Sequence, residues 1–414
     1  MKFWTGIGLG LAASVCAAQG KPAAAKSQQN WVASWATSMQ APEPENNQPG
    51  LAKEKLTDAT VREIVRLSVG GVGVRVHFSN AHGTQPLVID DAHIAFAASP
   101  ASSSIVEDSD RNLSFDGHVA VTIPIGAEMI SDLVYLQPKA LSDVAISYHL
   151  PQAPVGETCH PGSHANEYIA PGSHGGDTDL AGAKKTIRWE QVAEVDVLGP
   201  DAKEAVVTFG DSITDGHGST TDGNDRWPDV LAARLHAAGM KIGVANEGIG
   251  GNHLLTNGLG ENALQRFDRD VLAVSGVKTV VVFEGINDIG MLARGAKATP
   301  EQHAELRRRM IAAYEQIMLR AHAHGLRVIG VTMTPFTGSD YYFPTPENEA
   351  DRVAVNAWIR EPGHFDAVVD FDKVVRDPAD PSHMLKQYDS GDHLHPGPEG
   401  YKAMAAAFPL DLLK

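Results

Sequence analysis

The sequence predicts an α/β protein: a three-layer α/β/α domain on a parallel sheet, preceded by a β-sandwich-like domain of antiparallel strands. Three observations predict it. From Trp31 to about Gly199, apolar and polar residues alternate with period two. From Asp201 onward, short apolar runs alternate with amphipathic helical stretches, the pattern of parallel strands joined by crossover helices. Beyond the carboxyl ends of those runs stand glycines, acids, amides and histidines, at the edge where such sheets bind ligands.

The first twenty residues read as an export signal. Lys2 supplies the charged start, Phe3 to Val15 an apolar run too short to span a bilayer, and Ala17 and Ala18 the small residues of a cleavage point. The expected location is periplasmic or secreted. Cys16 offers a lipoprotein alternative, which Val15 disfavours because lipidation signals want a small residue there. Residues 21–30 read as a polar linker. After cleavage only Cys159 remains, so an internal disulfide is not available.

Residues 31–200 form the expected β-domain. Val65, Leu67 and Val69 alternate with Arg66 and Ser68, and Gly70-Gly71 gives a turn signal. Val74, Val76 and Phe78 then alternate with Arg75 and His77, which reads as a β-hairpin. Val144, Ile146 and Tyr148 alternate in the same way, and Ile187 to Val197 offers a last strand.

Residues 201–414 form the expected three-layer domain. Its strand candidates are Ala205 to Phe209, Ile242 to Ala245, Thr279 to Phe283, Leu326 to Thr332 and Ala367 to Val369. Trp227, Val230, Leu231 and Leu235 share one face of a first helix. Another helix starts at Thr299, with Pro300 at its first position and Gln302 completing a capping box, and stops at Gly325.

Composition narrows the partners. A chain of 414 residues with 43% hydrophobic content can bury two sizeable cores. A net charge of −17 argues against nucleic acid and anionic membrane surfaces, which need a basic face. Beyond the leader, no stretch is apolar for long enough to cross a membrane. A neutral or cationic small substrate, or a neutral sugar polymer, remains open, and the sequence does not fix the oligomeric state.

The strand ends carry the chemistry. Gly210-Asp211-Ser212 follows the first strand, Asn246 to Asn252 the second, Gly285-Ile286-Asn287-Asp288 the third, and Gly391-Asp392-His393-Leu394-His395-Pro396 the last. Each alone is an ordinary turn or cap. Together at one sheet edge they suit acyl transfer. A serine hydroxyl such as Ser212 needs a base, and His395 is a base once Asp392 fixes its tautomer. An oxyanion needs two or three donors, and the N–H of Ser212, the N–H of Gly251 and the side-chain amide of Asn287 could supply them. Asp211 is expected to shape the turn by bonding nearby N–H groups.

Four blocks in order, "GDSITDG", "NEGIGG", "GIND" and "DHLHP", resemble the SGNH (GDSL) hydrolases over roughly Ala205 to Phe408. The resemblance implies an SGNH hydrolase-like, flavodoxin-like fold for this half. It implies Ser212 as nucleophile, His395 as base, Asp392 as its orienter, and Ser212, Gly251 and Asn287 as the oxyanion hole, with no cofactor and no metal. "WVASWATSMQ" and "VRVHFSNAHG" resemble the β-domain of an exported branch whose members are described as arylesterases or acylhydrolases, some linked to xylan breakdown. G-x-S-x-G is absent, which sets aside the ordinary α/β-hydrolase pattern.

Two other readings compete. Asp91-Ala92-His93, Gly210-Asp211, Gly251-Asn252-His253 and His393-x-His395 follow the order of ligands in a metal-dependent phosphoesterase, but Leu254 stands where an acid should be and Asp91 lies in the β-half. A non-catalytic carbohydrate-binding protein is the other, disfavoured by the intact Ser212, Asp392 and His395. The stretch from Cys159 to Asp177, with His160, His164 and His174, matches no metal pattern and reads as a polar loop lying over the site. His217, His253 and His393 read as loop residues.

The loops bear on substrate size. "HGSTTDGND", "TNGLGEN" and "TGSD" are polar and glycine-rich, with no apolar run to line a long acyl tunnel. Tyr341, Tyr342 and Phe343 either stack on a sugar or pack a long loop. The expected substrate is a short acyl ester, acetyl first, on a carbohydrate or aryl alcohol.

Overall fold

The computed structural model describes residues 1–2, 30–41, 56–294 and 297–414. The expected linker up to residue 29, Cys16 and all but two residues of the expected leader lie outside them. No helix among the described residues is long and apolar enough to cross a membrane.

The amino-terminal half is built of short strands whose alternate side chains face inward. They are β1 (Trp31–Ala36), β2 (Ala59–Arg66), β3 (Gly73–Ser79), β4 (Leu87–Phe96), β5 (Arg111–Asn112), β6 (Val121–Ile123), β7 (Glu128–Ile130), β8 (Asp143–Leu150), β9 (Asn166–Pro171), β10 (Lys184–Ile187) and β11 (Val192–Leu198). One antiparallel sheet runs β1-β11-β3-β7 and a second runs β10-β9-β2-β8-β4-β5, with β6 paired to β4. Val74, Val76 and Phe78 of the first share an apolar cluster with Val61, Val65, Ile146 and Tyr148 of the second. The rings of Phe78 and Tyr148 meet edge to face at 5.2 Å. This is sheet-on-sheet packing.

Two local expectations are corrected. β2 pairs with β8 and β9 while β3 pairs with β11 and β7, so no hairpin joins them. The chain crosses from one sheet to the other through Gly70 and Gly71, where a Cβ would press on the carbonyls of Pro138 and Leu198 at 2.6 and 2.7 Å. The glycines serve close backbone approach at this crossing. The run from Ile187 to Val197 also divides, since β10 ends at Ile187 in one sheet and β11 begins at Val192 in the other.

The second half is a parallel sheet of β12 (Glu204–Gly210), β13 (Ile242–Gly248), β14 (Val277–Phe283), β15 (Arg327–Val331) and β16 (Ala367–Val369), in the order β13-β12-β14-β15-β16. Its helices are α1 (Ser212–Asp215), α2 (Trp227–Ala237), α3 (Ala263–Phe267), α4 (Ile286–Ala293), α5 (Pro300–Ala323), α6 (Pro346–Arg360), α7 (Phe371–Val375) and α8 (Pro398–Ala407). Val206, Val281 and Ile329 pack against Trp227 and Leu231 of α2, Phe371 of α7 and Met404 of α8. Their neighbours Val207, Val280 and Val328 face the other way, toward Phe267 of α3, Ile317 of α5 and Val355 of α6. Period-two strands with an apolar residue on both faces make the three layers. At α5, Thr299 Oγ1 accepts from Gln302 N and Gln302 Oε1 from Thr299 N, the expected capping box.

The two halves share one apolar cluster. β1 lies against β13, where a side chain at Gly243 would collide with the Ala33 carbonyl. Ser68 Oγ accepts from Val244 N at 2.8 Å across the same junction.

Candidate active site

Strand β12 ends at Gly210, where a Cβ would press on the Phe283 carbonyl at 2.6 Å. Asp211 then caps α1: its Oδ1 accepts from Ile213 N at 3.0 Å. Burial pushes its carboxyl up to about 7 against that bond. Ser212 is the first residue of α1, so its N–H lies in the turn that has no partner within the helix. Its Oγ is 2.8 Å from His395 Nε2.

One carboxylate builds the loop that carries His395. Asp392 Oδ1 accepts from Leu394 N at 3.0 Å and from His395 N at 2.9 Å, while Oδ2 meets His395 Nδ1 at 2.6 Å. Burial would push the Asp392 carboxyl up, but the bonds from the ring and the two N–H groups outweigh it and hold it well below the usual carboxylate range. The same acid therefore shapes the turn and sets the ring's direction.

Gly251 follows β13 with φ +68°, in the left-handed region, and a Cβ there would meet Leu259 at 2.7 Å. Asn287 stands in the first turn of α4, after β14. Its Nδ2 donates to the Asn252 carbonyl at 2.6 Å, and its Oδ1 accepts from the Tyr342 hydroxyl at 2.7 Å. The amide is thus fixed, with one N–H hydrogen beyond the bond to Asn252. Ser212, Gly251, Asn287, Asp392 and His395 all line a single cleft of about 920 Å³.

The β-half supplies part of the wall. Gln40, Pro161, Gly162 and His164 line the same cleft, so the loop after Cys159 does lie over the site. His160 anchors it, with Nε2 2.9 Å from Asp215 Oδ1 and Nδ1 2.8 Å from the Ser38 carbonyl. Cys159 is buried, and burial pushes its thiol up to about 12. His174 stays in the β-half, paired with Asp177 at 2.8 Å. The three aromatics divide: Tyr342 is buried behind Asn287, Tyr341 is half exposed on the cleft wall under the Arg294 guanidinium, and Phe343 is exposed.

Sequence reading missed Tyr342 as the partner of Asn287, because a tyrosine in a loop carries no signal of what it touches. It also missed Arg266, a fully buried cation in a five-residue helix with no motif around it. Arg266 donates to the Gly210 and Glu247 carbonyls at 2.9 and 2.8 Å, to Glu284 Oε1 at 3.1 Å and to Asn252 Oδ1 at 2.9 Å. It also reaches Ser38 Oγ at 2.9 Å and Asp270 at 3.1 Å. One guanidinium thus ties the ends of β12 and β13, the residue after β14, the loop beside Gly251, and the β-half.

The ligands of the metallophosphoesterase pattern are not gathered among the described residues. Asp91 and His93 pair with each other, and His93 with Asp110, in the β-half. Asp211 is spent on capping α1, and neither ring nitrogen of His253 has a partner. The metal-capable clusters among the described residues are different ones: His217, Asp392 and His395, and His77, Glu194 and Asp196.

Residues 208–403 match the model of the GDSL-like lipase/acylhydrolase family. Among solved structures the chain is similar to a GDSL-like lipase from Bacteroides thetaiotaomicron VPI-5482, at 21% identity and TM-score 0.37 over 50% of this chain and 85% of that one. It is similar to a carbohydrate acetylesterase family member from Sinorhizobium meliloti, at 16% identity and TM-score 0.38 over 51% and 96%. It is also similar to an acetyl xylan esterase, AlAXEase, at 19% identity and TM-score 0.37 over 49% and 96%. No curated protein matches the chain.

Proposed function

We propose that residues 208–403, which match the model of the GDSL-like lipase/acylhydrolase family, act as such a domain, and that the protein is an exported serine esterase that removes short acyl groups, acetyl first, from carbohydrate or aryl alcohols. The observation that carries the reading is the continuous chain from Ser212 Oγ to His395 to Asp392, at 2.8 and 2.6 Å, opening on a cleft that also holds Gly251 and Asn287.

The chemistry runs through this chain's own atoms. Ser212 Oγ attacks the acyl carbon while His395 Nε2 takes its proton. The ionised Asp392 stabilises the imidazolium and keeps its Nδ1–H directed at the carboxylate. The negative charge on the former carbonyl oxygen is met by the N–H groups of Ser212 and Gly251 and the free N–H of Asn287. His395 then passes its proton to the departing alcohol. Water, deprotonated by the same nitrogen, releases the acid from Ser212.

The cleft supports a small acyl group. Its lining is dominated by histidines, acids, glycines and amides, with Leu259, Leu394 and Pro161 among the few apolar side chains. Tyr341, half exposed beside Arg294, offers a ring face to a bulky alcohol. A panel of p-nitrophenyl esters and acetylated polysaccharides, run with wild type and Ser212→Ala, tests the reading. kcat/KM falls from acetyl through butyryl to octanoyl, because a methylene the site welcomes adds at most about 0.8 kcal/mol and the apolar side chains of the lining form no continuous run that could hold a long acyl chain. A maximum at octanoyl or beyond refutes the short-acyl assignment, and full activity in Ser212→Ala refutes the mechanism.

A further inference from the structure

The loop after the nucleophile carries an imidazole that acyl transfer leaves without a task. The His217 ring lies 4.1 Å from the His395 ring, centroid to centroid, with the planes at 43°. His217 Nε2 is 3.7 Å from Asp392 Oδ2, the oxygen that also meets His395 Nδ1 at 2.6 Å. One ligand atom from each of His217, Asp392 and His395 lies within 4.8 Å of the others. The His217 side chain is 56% exposed and lines the cleft, so a hydrated ion reaches it from solvent. Its backbone is held, with its N–H donating to the Ser212 carbonyl at 2.9 Å and its carbonyl accepting from the Tyr401 hydroxyl.

We propose that His217, Asp392 and His395 bind a divalent transition-metal ion, zinc above all, and that the bound ion switches off the serine nucleophile. Two imidazoles and one carboxylate are a borderline-soft donor set that suits zinc and disfavours magnesium and calcium. Ligands about 2.0–2.2 Å from a tetrahedral ion lie roughly 3.3–3.5 Å apart, so closing the site takes a small turn of the exposed His217 ring and opens the 2.6 Å contact between Asp392 and His395. Water fills the remaining position on the cleft side. The other metal-capable cluster differs. His77, Glu194 and Asp196 are buried, and His77 and Asp196 are bonded to each other and to Glu128, Arg75 and Ser275.

Either ligand atom of His395 gives the same outcome. An ion on Nε2 occupies the lone pair that would take the Ser212 proton. An ion on Nδ1 moves the ring proton to Nε2, which then carries a hydrogen and cannot accept another. Each step is ligand exchange, with water leaving the ion and no change of oxidation state. Only an ion on Nδ1 also meets Asp392, which is then drawn from the ring to it; Nε2 points the other way, toward Ser212.

The loss of turnover rests on His395 being the base of the proposed esterase; binding of the ion does not. Two measurements separate them. Hydrolysis of p-nitrophenyl acetate is followed against ZnCl2 in a non-chelating buffer for wild type and His217→Gln, each relative to its own metal-free rate. Equilibrium dialysis with ZnCl2 is run on Ser212→Ala and on Ser212→Ala/His217→Gln. Wild type is inhibited and recovers with EDTA, and the His217→Gln midpoint is at least about tenfold higher, since even outer partners of ligands are worth 10–100-fold. Ser212→Ala binds one zinc per chain tightly and the double variant does not. Equal midpoints, or equal zinc binding by the two dialysed proteins, overturn the site. Zinc bound to one equivalent without inhibition overturns the switch. Absence of ester hydrolysis in metal-free wild type overturns the esterase reading, while dialysis still decides the metal site.

Discussion

At the scale of single residues, the site is a set of bonds whose loss has unequal consequences. In the proposed mechanism, removing Ser212 or His395 removes the nucleophile or its base. Each alanine variant therefore loses nearly all turnover, about 10⁶-fold, and Asp392→Asn loses about 10²-fold less, as in triads that act as a unit. The asparagine keeps an acceptor for the Leu394 and His395 N–H groups, so the loop survives while the ring loses its anionic partner. Near-normal turnover in either alanine variant contradicts the roles of nucleophile and base. Asn287→Ala lowers kcat by about 10²–10³ with little change in KM, the signature of a donor needed mainly in the transition state. Tyr342→Phe lowers kcat in the same direction by less, because the hydroxyl only holds the Asn287 amide in place. Steady-state kinetics on both variants checks this; a KM effect without a kcat effect places Asn287 on ground-state substrate.

At the scale of elements, the nucleophile turn and the loop beside Gly251 are independent in sequence and joined through Arg266. Its buried charge is matched by Asp270 and Glu284, each at 3.1 Å. Arg266→Met keeps much of the volume but leaves buried Glu284 and the Gly210 and Glu247 carbonyls without their donor, while Asp270 keeps Arg269 at 2.6 Å; breaking a buried pair of this kind costs about 3–5 kcal/mol. Urea denaturation should show that loss. If the strand ends are held in register by this side chain, kcat for p-nitrophenyl acetate falls in the folded variant as well. Stability within about 0.5 kcal/mol of wild type counts against a central role for Arg266, since that is the range of ordinary surface substitutions. Gly251 works at the same scale: its left-handed φ strains any side chain there, and a Cβ would also push the end of the Leu259 side chain aside.

At the scale of the whole molecule, the β-half and the sheet half share a core, and the β-half holds its own buried acids. Burial raises the Glu63 carboxyl from an ordinary 4.5 to about 8, with the Glu190 charge adding to it and the Tyr148 hydroxyl and two backbone N–H groups opposing it. Glu190, also buried, is raised to about 7. A group raised in the folded state gives stability that is full below its unfolded value and is lost as pH rises through its folded one. Stability therefore declines between about pH 5 and pH 8, as the unfolded chain ionises these acids before the folded chain does. Glu63→Gln, neutral at every pH, makes that decline shallower. Urea midpoints at pH 5.5 and pH 8 for both proteins decide it, and an identical decline in the two removes Glu63 from the account.

The sequence by itself determined what depends on local chemistry and periodicity. Five apolar runs became β12 to β16 within a few residues, because a strand buried on both faces leaves a continuous signature. Thr299, Pro300 and Gln302 announced α5, because capping involves residues three apart. Ser212, Asp392 and His395 stood out because turns alone do not require them. Tertiary structure decided whatever depends on distant partners. The alternation at Val65 and at Val74 fits any neighbour strand, and burial of both sheet faces, not the glycines between, set the pairing. Tyr342 reaches Asn287 from 55 positions away, and Arg266 meets Ser38 from 228. His217 becomes a neighbour of His395 although all of β13 to β16 lies between them in the chain. No local rule encodes those meetings; they follow from which apolar faces close on one another, and the polar side chains are carried together as the core forms.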